Sequence, residues 1–382
     1  MKQSVIEDIR WHTLRVTPKT IWTFIEVIDA AGRIGTGEAT LTGRESAMHG
    51  SFEHYKHVAI DHAPAQVDLG AARSAARTLS QFAVISALDQ AVWDLAAQQS
   101  GISVSAMLGE RRRDCVAVYA NINRGITDRT ADGFEAHARR AVEDGFSVLK
   151  IAPFDGIELY GDSHQRIDGK LLDAGIARIE AVRNAIGPDR DLMVDCHWRL
   201  NRSVAEEVLC ATEPYRLYWL ECPIPETPEM MDTLRGIRNR ANDRGVRLAG
   251  CEEMSRVQGF MPFLDANVYD VMMPDVKYVG GIQEMIDVAQ VMQRHGVGFS
   301  PHNPSGPISH AASLQICAAA PEVERLEMQY AETPLFDDLV NGMLPCAIGG
   351  AIMVPQGPGV GAHLDSAVMR KLRVDIALPS SA

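Results

Sequence analysis

The sequence predicts an α/β protein, a parallel barrel of strand–helix units preceded by a smaller α+β unit. Three observations predict it. From Cys115 onward, short apolar runs alternate with helical segments, eight times in all. Polar residues close these runs at positions 195, 221, 252, 275, 302 and 327, each about one strand–helix unit from the last. The first hundred residues lack this rhythm and read as strands followed by a long helix. Repeated strand–helix units imply a parallel sheet, and the right-handed crossover rule leaves the closed barrel as the simplest arrangement.

In chain order, residues 5–16 and 21–28 are rich in β-formers, and IWTFIEVI alternates as a strand does. Ala30-Ala31-Gly32 is a turn, and Gly35 to Ala39 closes a third strand. The polar stretch 43–62 carries His49, His54, His57 and His62; its composition is that of a solvated loop and helix, not of a metal site. Next, Phe82, Ile85, Leu88, Val92 and Leu95 recur at helical spacing, and Gly101 ends the helix. The barrel strands are then CVAVYAN, SVLKIAP, DLMVDCH, LYWLECP, RLAGCEE, YDVMMPD, VGFSPH and RLEMQY, with helices such as FEAHARRAVEDG, GIARIEAVRNAIG and IQEMIDVAQVMQRHG between them. The Gly- and Pro-rich segment after Glu332 leaves the rhythm and is expected to return to the N-terminal unit. The domains expected are 1–114, 115–332 and 333–382.

A net charge of −13 argues against nucleic acid as a partner. It does not exclude a small carboxylate substrate, because a bound cation reverses the local field. No apolar run approaches a membrane span, and the N-terminus lacks a signal-peptide core, so a cytoplasmic protein is expected. The seven cysteines include no CxxC pair, which suits a reduced compartment. Cys196, Cys222 and Cys251 each adjoin an acid, but strand alternation turns them away, into the layer between strands and helices.

Polar groups that recur in phase all lie at the same end of their strands, the end where barrel enzymes keep their sites. Asp195, Glu221 and Glu252 come from consecutive strands. Three neighbouring carboxylates suit a hard divalent cation, Mg²⁺ above all, and the set lacks the sulfur or imidazole that zinc prefers. Glu253 is the alternative to Glu252; alternation favours Glu252. Asp275 and His302 end the next two strands, as a carboxylate and the imidazole base that it orients. Lys150, across the barrel, is either a base or a fixed positive charge. Glu327, on the eighth strand, would donate to an enolate oxygen if protonated. His197 lies two residues past Asp195, so strand alternation points both the same way and puts His197 in reach of whatever a metal there holds.

The motifs ISALDQAVWDLAAQQSGISVSAMLGE, VDCH, LECPIP, AGCEE, MPDVKYVGGI, SPHNPSGP, LEMQY and PGVGAHLD together resemble the enolase superfamily, on its mandelate racemase/muconate lactonizing enzyme-like branch. The resemblance covers nearly the whole chain. It implies a (β/α)7β TIM-like barrel under an α+β capping domain formed from both chain ends. It implies Mg²⁺ on Asp195, Glu221 and Glu252, a base dyad of Asp275 with His302, and an eighth-strand acid at Glu327. Many relatives carry Lys-x-Lys on the second strand; here Lys150 is followed by Ala152, which removes the usual second base of a racemase. Asp-x-His at Asp195–His197 resembles the acid-sugar dehydratases of this branch, in which the histidine protonates the leaving hydroxyl.

The expected activity is therefore dehydration of an acid sugar to a 2-keto-3-deoxy acid. A sugar-lactone cycloisomerase or an epimerase would share the same enolate chemistry, and a non-catalytic metabolite binder is the remaining alternative. Trp198 and Arg199 are expected to line the pocket. Arg44, His49 and Lys56 are candidates for the distal end of the substrate, on a cap loop spanning residues 41–56. The other cap loop, 15–20, is short, and predicts an open edge closed by a neighbouring subunit in a homo-oligomer.

Overall fold

The computed structural model describes residues 4–158 and 167–374. Three strands open the chain, β1 (Ile6–Arg15), β2 (Ile21–Asp29) and β3 (Ile34–Glu38), and they pair antiparallel in sequence order. The helix Leu79–Ser100 lies across them. Thr78 accepts a hydrogen bond from the Gln81 amide at its start, and Gly101 ends it at φ +70°. Strand β3 touches this helix closely: a Cβ on Gly37 would stand 2.0 Å from the Ala87 carbonyl oxygen, so only glycine fits there.

The barrel strands follow as β4 (Cys115–Asn121), β5 (Val148–Ile151), β6 (Asp191–Asp195), β7 (Trp219–Glu221), β8 (Arg247–Gly250), β9 (Val271–Met272), β10 (Gly298–Phe299) and β11 (Leu326–Gln329). All are parallel, in the order β10-β9-β8-β7-β6-β5-β4-β11. Backbone bonds from Glu324 to Phe299 at 2.9 Å and from Glu327 to Pro301 at 3.2 Å join β11 back to β10. A helix follows each strand from β4 to β10, and among the described residues none of that size follows β11, so the barrel is (β/α)7β. Each strand falls on a run expected from sequence, but several are shorter. The chain leaves the ladder through left-handed residues at the strand ends, His197 (φ +47°), Cys222 (φ +43°) and Cys251 (φ +69°).

Inside the barrel, Tyr119, Val148, Met193, Trp219, Ala249 and Val271 form a packed floor. Tyr119 and Trp219 meet edge to face at 5.6 Å. Outside it, strands and helices bury one large apolar layer, which takes in Cys196 and Cys251. Cys222 is buried as well.

Strand β12 (Ala351–Met353) pairs antiparallel with the start of β4. The chain then reaches the N-terminal unit: Val360 donates to Asp94 at 2.8 Å, and Val374 and Thr13 exchange hydrogen bonds. Residues 375–382 of the expected C-terminal segment lie outside the described residues. Among the described residues no helix is long and apolar enough to cross a membrane.

Candidate active site

Asp195 and Glu221 end neighbouring strands and are register partners. Glu252 stands two residues beyond β8, after the left-handed turn at Cys251. One carboxylate oxygen from each of the three acids lies within 4.8 Å of the others. All three acids are buried, while Glu253 is exposed, so Glu252 completes the cluster.

Lys150 of β5 is 1% exposed. Its ammonium lies 2.7 Å from Glu221 and 2.8 Å from Glu327. Burial alone would lower its pKa, but these two carboxylates outweigh burial and hold it well above the ordinary range. Both contacts favour the charged form of Lys150. Glu327 is pinned in turn: Asn121 donates to Oε1 at 2.7 Å and the Asn303 amide to Oε2 at 2.9 Å. Burial would raise its pKa, yet Lys150 and His302 keep it below the usual carboxylate range. These contacts favour the ionised form of Glu327.

The residues present fit a divalent cation. Burial, with the neighbouring acids, pushes Glu221 and Glu252 above the ordinary carboxylate range. Three acids so close cannot all ionise without a counter-charge. One oxygen of Glu252 is buried without a hydrogen-bond partner. The donors are all hard oxygens, the set that Mg²⁺ takes.

His302 and His197 flank this cluster. His302 Nδ1 bonds Asp275 at 2.8 Å, and its Nε2 stands 3.5 Å from Glu252. Asp275 is fully buried; burial would raise its pKa, but Lys277 and His302 hold it down. The dyad therefore presents Nε2 towards the acids, with Nδ1 oriented by a carboxylate. On the other edge, His197 Nε2 lies 2.7 Å from Asp195, and the His197 amide donates to the same carboxylate at 2.8 Å. The sequence argument brought His197 to the mouth by strand alternation. The structure does so differently: β6 ends at Asp195, and the left-handed backbone of His197 and Trp198 folds the ring back over the acid. Burial would lower the His197 pKa, but Asp195 outweighs burial and raises it above the ordinary histidine value.

Residues 133–368 match the family described as enolase C-terminal domain-like, and residues 11–109 match the mandelate racemase/muconate lactonizing enzyme N-terminal domain. The chain belongs to the enolase superfamily. Within it, this chain is similar to the D-gluconate dehydratase of Thermoproteus tenax, 28% identical over 375 residues, covering 96% of this chain and 71% of that protein. It is also similar to the D-xylonate dehydratase of Haloferax volcanii, 26% identical, with 96% and 88% covered. The D-galactonate dehydratase of Ralstonia pickettii is 26% identical, with 94% and 92% covered. A solved mandelate racemase/muconate lactonizing enzyme-like protein from Rubrobacter xylanophilus superposes with a TM-score of 0.87 at 25% identity, covering 99% of both chains.

In this enolase-superfamily barrel the expected substrate contacts are placed unevenly. Trp198 bears on Glu226, where it favours the ionised carboxylate. Arg199 donates to the Ile157 carbonyl and so holds the loop after β5. Arg44 is exposed at the start of the helix Glu45–Tyr55, where its charge bears on Glu253. His49 is turned into the cap, its ring 5.7 Å from Trp11 and 6.1 Å from Phe52. Lys56 pairs with Glu53 at 2.7 Å. Among the described residues, the ion pairs of the acid cluster are with Lys150, His197 and His302, and not with Arg44, His49 or Lys56.

Several site residues escaped the sequence reading. Asn121 ends the first barrel strand in the same phase as the other polar groups, and that phase was the available signal. Asn303 adjoins His302 and ties its loop to Glu327. Thr20, from the short cap turn, donates to Glu332, which lies 3.9 Å from Arg124. Lys277 is buried beside Asp275. A lysine in a post-strand loop reads as surface, and nothing local announces otherwise.

Proposed function

We propose that this enzyme is a Mg²⁺-dependent dehydratase of acid sugars, a carbon–oxygen lyase. One observation carries the reading: two imidazoles flank a single carboxylate triad, His302 beside Glu252 and His197 beside Asp195. Elimination of water needs a base for the carbon proton and an acid for the leaving hydroxyl. The names of the dehydratase relatives support the same reaction class. Ala152, buried at 6% exposure, stands where a second base would be, which disfavours epimerisation.

Asp195, Glu221 and Glu252 would hold Mg²⁺, which supplies Lewis-acid stabilisation of the substrate carboxylate. His302 Nε2 takes the proton from the carbon next to that carboxylate, and Asp275 steadies the imidazolium that results. The electron pair of the broken C–H bond moves into the carboxylate. Lys150, fixed between Glu221 and Glu327, places positive charge beside it without a proton transfer. His197 Nε2 donates a proton to the β-hydroxyl as its C–O bond breaks, and one water leaves. The resulting enol tautomerises to the 2-keto-3-deoxy acid.

The test is a screen of mono- and diacid sugars with Mg²⁺ in D₂O. His302→Ala is expected to abolish exchange of the α-proton, a loss of at least about 10²-fold. His197→Gln is expected to retain exchange and lose dehydration. Normal product formation by His197→Gln would remove the acid assignment.

A further inference from the structure

Lys277 is 1% exposed and lies against the base dyad, yet the mechanism above gives it no step. Its ammonium donates to Asp275 Oδ2, the same oxygen that pairs with His302 Nδ1. Its backbone amide donates to the other oxygen, Oδ1, at 2.8 Å. The ammonium also donates to Ser305 Oγ. Asp275 lies on the loop after β9, and Ser305 lies on the loop after β10, three residues from His302. One buried cation therefore cross-links the two loops that carry the two halves of the dyad. Ser305 is followed by Gly306, whose amide donates to Glu38 of the cap at 2.7 Å, so the clamped loop is held from both sides.

We propose that Lys277 is the positioning residue of the proton-abstracting dyad. The ammonium fixes the Asp275 carboxylate with Oδ2 towards His302 and sets the spacing between the two loops. A carboxylate on a short post-strand loop has two rotatable bonds; with both oxygens bonded to Lys277, neither is free to turn. The ring of His302 then inherits its orientation from Asp275. Proton transfer is steep in geometry, and a displacement of about 1 Å costs on the order of 10²-fold in rate. The Lys277 ammonium bonds Asp275 and Ser305 and not Asp195, Glu221 or Glu252, so its loss acts on the chemical step and leaves carboxylate binding alone. The inference rests on His302 as the base in the function proposed above.

The experiment is a mutant cycle read by α-proton exchange in D₂O with an acid sugar that the wild type accepts. Lys277→Met is expected to lower kcat for exchange about 10²-fold, with KM within about twofold of wild type (~2-fold being the additivity error of about 0.5 kcal/mol). In an Asp275→Asn background the same substitution is expected to add nothing further. Unchanged kcat, a raised KM with kcat intact, or full additivity with Asp275→Asn would each overturn the proposal. If Lys277→Met does not fold, Ser305→Ala removes only the cross-link to the second loop; a selective fall in kcat supports the clamp and an unchanged kcat overturns it. A second readout needs no turnover. In protein labelled with ¹⁵N-histidine, the His302 Nδ1–H resonance, assigned by its loss in His302→Asn, is expected to shift or broaden in Lys277→Met. An identical resonance would sink the positioning role. If the wild type exchanges no acid sugar at all, the dehydratase reading fails while this resonance still judges Lys277.

Discussion

His310 is 2% exposed, with its ring 5.6 Å from Phe336 and its Nδ1 accepting a hydrogen bond from Asn303 at 2.9 Å. Asn303 in turn carries the loop of His302, so a neutral His310 supports the base from beneath. Burial lowers the His310 pKa from 6.5 to about 4. The unfolded chain therefore binds a proton that the folded chain refuses. Stability from this site is complete above pH ~6.5 and is lost as pH falls towards ~4. Between pH 7.5 and 5 the loss amounts to about 2 kcal/mol. His310→Gln is expected to flatten that part of the stability profile, measured by urea unfolding at the two pH values. Equal losses in mutant and wild type would show that His310 does not set the slope. The surroundings of Glu327 belong to the same scale. Its environment is decided by Lys150, Asn121 and Asn303, which lie on two other strands and one loop, and no neighbour in sequence announces them.

Among the elements, β3 ties the cap to the barrel through one buried acid. Glu38 ends it, is fully buried, and accepts from Thr40 at 2.8 Å, Gly306 at 2.7 Å and Ser309 at 2.9 Å. The last two amides open the helix Pro307–Ala319, so a cap residue supplies the acceptor for a barrel helix N-terminus. Glu38→Ala leaves both amides buried without a partner. The expected cost is about 2–4 kcal/mol, read as a fall in the urea midpoint with no change in slope; a loss under about 0.5 kcal/mol, the range of a surface substitution, would mean that water replaces the carboxylate. Strand β3 itself was legible, because Gly-x-Gly-Glu follows an alternating run. Its partner was not, because residues 38 and 306 are 268 positions apart. The strand lengths were overestimated for a related reason. A polar residue at a strand end marks where the side chain is wanted, not where the ladder stops, and left-handed turns at Cys222 and Cys251 end the pairing early.

Over the whole molecule, the sequence made the barrel legible through its period, and the acid triad through its phase with that period. A group that recurs once per strand–helix unit must face one end of the barrel, and that argument needs no knowledge of contacts. Lys277 and Asn303 escaped because they sit in loops, where neither period nor phase applies. His197 was found for a partly different reason than the one that places it, since a left-handed turn and not strand alternation brings it over Asp195. The triad joins strands β6, β7 and the end of β8, so a cation there bridges neighbouring staves of the barrel. A ligand that binds only the folded state stabilises it by mass action, about 2.7 kcal/mol at a hundred times its Kd. Mg²⁺ is thus expected to raise the Tm relative to EDTA, and Asp195→Asn, Glu221→Gln and Glu252→Gln are each expected to remove most of that rise. Glu252→Gln also relieves repulsion among buried acids, so that variant is expected to be no less stable than wild type in EDTA while losing its response to Mg²⁺. That crossing of effects separates a metal site from a merely structural cluster: were the Mg²⁺-dependent rise to survive in a protein carrying all three substitutions, the cation would have to bind elsewhere.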